Sequence, residues 1–296
     1  MKKFFYVLMA AAALVAVSCD KEGNNGNNEG ENGGDVVELA QPTHRIKEIR
    51  QDDGAEVFAY TYNEDGTVAT LQASYEGSVW GDYVFTYEGN KLTVTNKAAD
   101  NAVEMIAFLN DQKLAEEIKY YIDGKNFELE CTYDKNGFLL TCAKDGALQT
   151  VQQITEDGCV EFWTRIGIAE TIGESADAAG WRKKMHTYYG EENIAGIHTE
   201  WNEDTGVKRW IYETGLLGRA STLVCKTAWW YGIADKDAGV VNQEYAEKLA
   251  YYPLSLGEDG CVSVEYKYYD KATIYEEDPT KMSGEKGMEF ICEPIK

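Results

Sequence analysis

The residues best suited to ligand binding are three consecutive aromatics, Trp229, Trp230 and Tyr231. Neighbouring residues of a β-strand lie on opposite faces, so at least one of these large rings is expected at the surface. Exposed rings stack on sugars and contact protein partners. We predict a ligand-binding surface here, to which Trp201 and Trp210 could add, with packing in the core as the structural alternative.

Catalytic motifs are scarce in the sequence. The three histidines, His44, His186 and His198, form no H-E-x-x-H motif, and no G-x-S-x-G, dinucleotide-binding or Walker pattern occurs. The 51 Asp and Glu residues make carboxylate pairs common by chance, so they identify no glycosidase site. We therefore assign no catalytic residue, metal site or cofactor. A non-catalytic protein is favoured over an enzyme.

Charge and composition restrict the remaining classes. The 296-residue chain has 28 Lys and Arg against 51 Asp and Glu, a formal net charge of -23. This charge opposes binding to phosphate backbones, so no nucleic-acid partner is predicted. With 28 Gly and only 4 Pro, the composition suits many tight turns.

The N-terminus has the features of an export signal. Lys2 and Lys3 precede an apolar stretch, Phe4–Val17, which has signal-peptide length. Its end, Leu14–Cys19, resembles the lipobox of bacterial lipoproteins, although Ala16 stands where that pattern prefers Leu. The resemblance implies a signal peptide over residues 1–18, lipid attachment (palmitate) at Cys19 and a membrane partner. An ordinary secretory signal is the alternative.

A polar segment separates this signal from the rest of the chain. Residues 19–40 are rich in Asn, Gly and acidic residues and cannot bury enough apolar surface to fold, so they are predicted to be a flexible tether. Asp20, Lys21 and Glu22 resemble the surface-export signals of Bacteroidetes lipoproteins. That resemblance implies an outer-membrane lipoprotein exposed at the cell surface, with the periplasmic face of the outer membrane as the alternative.

Residues 41–296 repeat a hairpin pattern and are predicted to be a single domain. In the clearest unit, strand Phe58–Tyr62 is followed by the turn Asn63–Thr67 and the strand Val68–Leu71. Similar turns recur about every 20 to 26 residues. They lie at Glu88–Lys91, Asn110–Lys113, Asp134–Gly137 and Thr155–Gly158, with looser examples at Asn202–Gly206 and Gly257–Gly260.

The predicted fold class is all-β. We expect an up-and-down antiparallel sheet or soluble barrel-like fold of about 12 to 16 strands. The alternation of Leu129 and Cys131 with Glu128 and Glu130 gives one apolar and one charged face, which favours this fold over a lipid-facing outer-membrane barrel.

Helix is expected only as one or two short insertions between hairpins. The candidates are Ser175–Tyr189 and Asn242–Ala250. Ala98–Leu109 suits a helix by composition, but the hairpin frame predicts that its second half is a strand.

Cysteine usage leaves two alternatives open. Apart from Cys19, six cysteines remain, an even number that permits three disulfides in an exported protein: Cys131, Cys142, Cys159, Cys225, Cys261 and Cys292. A two-residue turn would place Cys131 opposite Cys142, whereas a three-residue loop with a bulge would place them on opposite faces. Because the other hairpins use the longer form, we predict free, buried thiols.

The tyrosine-rich strands and their Asn-Glu-Asp-Gly or Asp-Lys-Asn-Gly turns resemble the YD-type hairpin repeats of secreted bacterial proteins. Together with the lipobox, they resemble a family of Bacteroidetes lipoproteins with a porin-like β-fold. The resemblance implies the architecture and carries over no site residue. We predict a lipid-anchored envelope protein acting as a binding or structural module for a glycan or an outer-membrane protein partner. The alternatives are a polysaccharide hydrolase using an acid pair and an accessory subunit of an outer-membrane complex.

Overall fold

The computed structural model describes residues 39–166, 181–198, 205–235, 240–242, 248–251, 255–256, 262–268 and 287–295. Within these ranges, residues 161–185, 189 and 226–268 are described by their backbone alone. The strands are β1 His44–Gln51, β2 Glu56–Tyr62, β3 Val68–Tyr75, β4 Ser78–Glu88, β5 Lys91–Asn96, β6 Ala102–Leu109, β7 Ala115–Tyr120, β8 Phe127–Tyr133, β9 Leu139–Lys144, β10 Ala147–Ile154, β11 Val160–Ile166, β12 Trp181–Glu192, β13 Leu223–Asp235, β14 Val240–Asn242, β15 Lys248–Tyr251, β16 Ser255–Leu256, β17 Val262–Tyr268 and β18 Gly287–Pro294.

These strands form one antiparallel sheet that closes on itself. Each strand from β1 to β13 pairs with the next, and the sheet continues through β15 and β17 to β18. β18 then pairs with β1, from His44 opposite Pro294 to Gln51 opposite Met288. The all-β prediction is confirmed. The described residues contain 18 strands, more than the predicted range, because short strands such as β14 and β16 add to the hairpin pairs.

Side-chain alternation separates the two faces of the sheet as predicted. On β4, Tyr83 and Phe85 are buried on the inner face. On β7, Lys119 lies on the outer face, with its Nζ 3.5 Å from the Glu117 Oε1 and 3.3 Å from the Glu128 Oε1 across the strand pair. The inner face therefore supplies the apolar core and this part of the outer face carries charge.

Four of the predicted turns share one geometry at the end of the sheet where β1 begins and β18 ends, here called the entry end. In each of the four, the first residue donates its N–H to the carbonyl oxygen four residues later. These pairs are Asn63 with Thr67, Asn110 with Leu114, Asp134 with Phe138 and Thr155 with Cys159. The predicted turn Glu88–Lys91, at the same end, is shorter, since Glu88 pairs directly with Lys91. Gly66, for example, has φ +85°, the left-handed conformation that the turn requires. The hairpin frame is thus confirmed over this half of the chain.

The opposite end of the sheet, here called the distal end, contains the turns from β1 to β2 and from β3 to β4. Further turns there join β5 to β6, β7 to β8 and β9 to β10. Short 3₁₀ helices form three of these five connections, at Asp52–Gly54, Lys97–Ala99 and Ile122–Gly124.

Both predicted helical insertions were wrong where the structure describes them. Within Ser175–Tyr189, residues 181–189 belong to β12, and within Asn242–Ala250, residues 248–250 belong to β15. In both places, pairing with β13 outweighs the helical propensity of single residues. Ala102–Leu109 is strand β6, which confirms the hairpin frame there.

Short helical turns instead occur between β12 and β13, inside the closed sheet. The described residues of this connection, 193–198 and 205–222, are called the inner segment. It contains an α-helical turn, Arg209–Ile211, and a π-helical turn, Tyr212–Leu216. Buried residues of the segment form one core with the inner faces of the strands. The Tyr60 hydroxyl, for example, donates to the Trp210 carbonyl oxygen over 2.7 Å.

The predicted signal peptide, Cys19 and most of the tether lie outside the described residues. The folded unit begins by Leu39, which is buried, and the Ala40 carbonyl oxygen accepts a 2.6 Å hydrogen bond from Arg219. None of the helices in the described ranges has the length and apolar composition of a membrane-spanning helix.

Candidate functional site

A β-bulge places a tryptophan at the distal end of the inner face. Ala73 on β3 pairs with Gly81 on β4, but the next residue, Ser74, pairs with Val79. Trp80 is therefore the extra residue of the bulge and has no partner in this strand pair. Bulges of this kind redirect a side chain relative to the strict alternation of the strand.

The redirected indole meets three buried rings. The Trp80 ring centroid lies 6.0 Å from that of Phe58, 6.5 Å from that of Tyr83 and 6.3 Å from that of Trp210, each in an edge-to-face arrangement. Phe58 and Trp210 are themselves stacked at 5.6 Å. These four rings are called the aromatic cluster. Edge-to-face and stacked pairs are favourable, so the rings behind Trp80 hold it in place.

Gly81 allows this arrangement. The Tyr83 ring lies over the Gly81 backbone, so a Cβ at residue 81 would come within 2.5 Å of the Tyr83 Cε2. Any larger residue would push the Tyr83 ring away from Trp80 and Trp210. The sequence Trp80-Gly81 is therefore part of the local construction of the aromatic cluster.

Exposure distinguishes Trp80 from its neighbours. Phe58, Tyr83 and Trp210 are buried, whereas Trp80 is 37% exposed. Tyr75 and Val79, on the same hairpin, are 48% and 49% exposed. The distal end thus presents a supported, partly exposed indole, and two further exposed apolar residues lie on the same hairpin.

Polar groups surround the cluster. Asn96, opposite Tyr83, is buried and accepts hydrogen bonds from the Asp82 and Ala98 N–H groups, each over 3.0 Å. Burial, together with the negative charges of Glu104 and Asp123, raises the pKa of the Tyr83 hydroxyl, which therefore stays neutral. The rings of the cluster are thus apolar or neutral, and polar and acidic side chains lie close to them.

A second polar group lies deeper, in the inner segment. The Arg209 Nε is 3.1 Å from the Glu213 Oε1, and the two side chains are 6% and 0% exposed. The other Glu213 oxygen accepts the His198 N–H over 3.0 Å, while Arg209 donates to the His198 carbonyl oxygen over 2.7 Å. Burial, with a smaller effect from the Arg209 charge, lowers the pKa of His198 to about 3. These contacts indicate a structural role, since the carboxylate of Glu213 is engaged on both oxygens.

The residues predicted from sequence do not gather at the aromatic cluster, with one exception. Trp210 is buried in the cluster and therefore packs in the core, which was the alternative to a surface role. Its ring still contacts the exposed Trp80 and supports it. Trp201 lies outside the described residues. His44, His186 and His198 lie on β1, on β12 and in the inner segment. In the described part of the chain, no three His, Cys, Asp or Glu residues are grouped as metal ligands.

Trp229, Trp230 and Tyr231 are placed by the backbone on β13, and their side chains are not described. Trp230 stands in a row of directly opposed residues that starts at the buried Gln152. The row is Gln152, Trp163, Lys184 and Trp230. Directly opposed residues share a face, so Trp230 belongs to the inner face and its two neighbours to the outer face. Their role in ligand binding stays a prediction.

Sequence reasoning missed Trp80. The alternation of β4 assigns residue 80 to the outer face, and a single added residue reverses that assignment. The available signal was the Trp80-Gly81 pair, since Gly within a strand often marks a bulge or a close approach.

Comparison with known proteins supports the architecture. No protein-family model matches the sequence, and no curated protein sequence matches it. Among solved structures, a porin-like protein from Bacteroides uniformis aligns with a TM-score of 0.51 at 13% identity, covering 85% of this chain and 99% of that chain. A porin-like protein from Bacteroides vulgatus aligns at 12% identity with a TM-score of 0.49, covering 85% and 100%. At such low identity the first likeness concerns the fold alone, and this chain has a porin-like fold.

Proposed function

We propose that the protein is a lipid-anchored lipoprotein of the cell envelope that binds neutral glycans, without catalysis, through Trp80 and the aromatic cluster. The observation that carries the proposal is the supported, one-third exposed indole at the distal end. Sugar rings present C–H groups that stack on such a platform, and a rigid platform loses little conformational entropy on binding.

Charge favours a neutral ligand. The net charge is -23, and Glu104 and Asp123 lie close enough to Tyr83 to raise the pKa of its hydroxyl. An anionic polysaccharide would be repelled by this field. Carboxylates can accept hydrogen bonds from sugar hydroxyls, so the same residues suit an uncharged chain.

The position of the cluster also fits an anchored protein. The chain enters the folded unit at Leu39, and β1 begins at the entry end, whereas Trp80 lies at the distal end. A tether attached at Cys19 would therefore join the domain at the end opposite the ligand platform. Membrane attachment predicts that labelled palmitate enters the protein and that Cys19→Ser abolishes this incorporation.

Binding is tested with cellohexaose, xylohexaose and mannohexaose, using titration calorimetry and Trp fluorescence, with polygalacturonate as the anionic comparison. Trp80→Ala is expected to weaken binding at least about tenfold, equivalent to ~1.4 kcal/mol, and Trp80→Phe to weaken it less. Phe108→Ala is the matched control, since Phe108 is also 37% exposed but lies on β6. The proposal fails if none of the three neutral glycans binds, or if Trp80→Ala and Phe108→Ala bind equally well.

A protein partner is the second candidate, because Tyr75 and Val79, on the same hairpin as Trp80, are also exposed apolar residues. This reading makes the chain an accessory subunit of an outer-membrane complex. A photo-crosslinking amino acid at residue 79 should then give one discrete adduct in cells, and one at residue 108 should not. The hydrolase alternative needs two carboxylates facing a cleft, whereas Glu213, the one buried acid among the residues whose side chains are described, is bound to Arg209.

A further inference from the structure

Two cysteines lie face to face in the hairpin of β8 and β9. Cys131 and Cys142 occupy directly opposed positions, and their Sγ atoms are 3.4 Å apart. Both are buried, with 5% and 0% exposure. The thiols are separate in this structure.

This juxtaposition corrects the prediction that a long turn would put the two residues on opposite faces. The turn is indeed long, with Asp134 bonded to Phe138. However, Thr132 pairs with Thr141 and Tyr133 pairs with Leu139, so Leu140 is an additional bulged residue. The long turn shifts the pairing by one residue, and the bulge at Leu140 shifts it back. Cys131 and Cys142 are therefore directly opposed, with both thiols on the inner face.

We propose that Cys131 and Cys142 are joined by a disulfide in the mature protein, formed by thiol–disulfide exchange with a disulfide-bearing oxidant. One thiolate attacks a sulfur of the oxidant and releases a thiolate from it, giving a mixed disulfide. The second cysteine then attacks the sulfur of its partner and releases the other half of the oxidant. The protein loses two protons and two electrons, and the oxidant is reduced to two thiols. Small side-chain rotations suffice to shorten 3.4 Å to the bonded distance of about 2.0 Å.

The exchange must precede closure of the sheet. Both cysteines are buried in the folded protein, which hinders access of an oxidant to their sulfurs. The hydrogen bond from Cys131, together with burial, raises the pKa of the Cys142 thiol, so it supplies little thiolate once folded. The two residues are only 11 apart in sequence, so the hairpin can bring them together early in folding.

Trypsin provides a direct test because it separates the two cysteines. Cleavage after Lys125, Lys135 and Lys144 yields Asn126–Lys135, with Cys131, and Asn136–Lys144, with Cys142. The full-length protein is unfolded in denaturant with reductant and refolded in glutathione disulfide. It is then alkylated in denaturant and digested. Both peptides are expected mainly as the disulfide-linked pair. The mass of this pair is the sum of the two thiol peptides minus two hydrogen atoms.

A stability measurement gives a second readout. If the hairpin is linked, the thermal midpoint of the protein should fall by about 5 to 10 °C when reductant is added before unfolding. Cys131→Ala/Cys142→Ala should show no such dependence on reductant. Cys159→Ala is a matched control that also removes a buried thiol, and its midpoint should still depend on reductant.

The outcome that overturns the proposal is full alkylation of both peptides after oxidative refolding, with a midpoint that reductant does not change. Formation in the cell rests on the proposed export, and a linked pair in protein recovered from the envelope tests that step. The refolding experiment does not depend on export or on glycan binding, so its failure is distinguishable from failure of the proposed function.

Discussion

The buried ion pair of the inner segment makes a strong prediction for stability. Glu213→Ala leaves the Arg209 guanidinium buried beside the Phe290 ring without its carboxylate. It also removes the acceptor of the His198 N–H, which lies 3.0 Å from the Glu213 Oε2. The substitution should therefore weaken the packing of the inner segment against the sheet.

The magnitude follows from the burial of both charges. Removing one partner of a buried ion pair costs about 3 to 5 kcal/mol, because the other charge stays out of water. Replacing both by apolar residues of similar volume is often near neutral, so Arg209→Met/Glu213→Leu should be more stable than either single variant. Glu117→Ala, which removes a partner of Lys119 in an exposed pair, should cost far less, because water screens the two charges.

Urea unfolding followed by Trp fluorescence and circular dichroism measures these differences. For a folded unit of this size, the loss at Glu213 corresponds to a fall in thermal midpoint of roughly 6 to 20 °C. The reasoning is refuted if Glu213→Ala costs no more than Glu117→Ala. It is also refuted if the double variant loses the sum of the two single losses.

Two further predictions concern buried positions. The pKa of His198 is lowered from 6.5 to about 3. Below pH 6.5 the unfolded chain therefore binds a proton at His198 that the folded protein does not bind. The contribution of neutral His198 to stability is complete above pH 6.5 and is lost as the pH falls. At pH 5 the free energy of unfolding should be lower by about 2 kcal/mol for this reason. Urea midpoints measured at pH 7 and pH 5 should show this decrease in the wild type, and His198→Phe should lack it. Gly218 has φ +103°, and a Cβ there would lie 2.9 Å from the Gly137 carbonyl oxygen. Gly218→Ala should cost about 2 to 4 kcal/mol in the same assay, whereas Gly66→Ala, with open space around it, should cost about 1 kcal/mol. Equal losses at the two glycines would contradict the steric argument.

Local patterns in the sequence predict the first half of the fold well. Alternation in β4 and β8, and the repeated turn signals, identify the strands, their faces and the hairpin order. These features depend on neighbours within a few residues, so a single sequence contains them. Asn110 to Lys113 was identified even though Lys113 replaces the usual Gly in the left-handed position.

The interior could not be predicted in the same way. The inner segment packs in the core because its buried residues meet several strands at once, as Trp210 does with Tyr60 and Phe58. Such contacts join residues about 150 positions apart, and no local pattern encodes them. The bulges at Trp80 and Leu140 show the same limit on a smaller scale. Each changes the register by one residue, which exchanges the two faces of the sheet.

Closure of the sheet by β1 and β18 has a consequence for how the protein is made. The N-terminal hairpins can pair as they emerge, but β1 receives its second neighbour only when Gly287–Pro294 has been synthesised. Until then β1 and β17 are unprotected edges, which favour association between chains. A premature stop codon a few residues before Gly287 would leave both edges permanently open, so a loss of under 5% of the chain is expected to yield aggregates where the complete chain yields a folded domain.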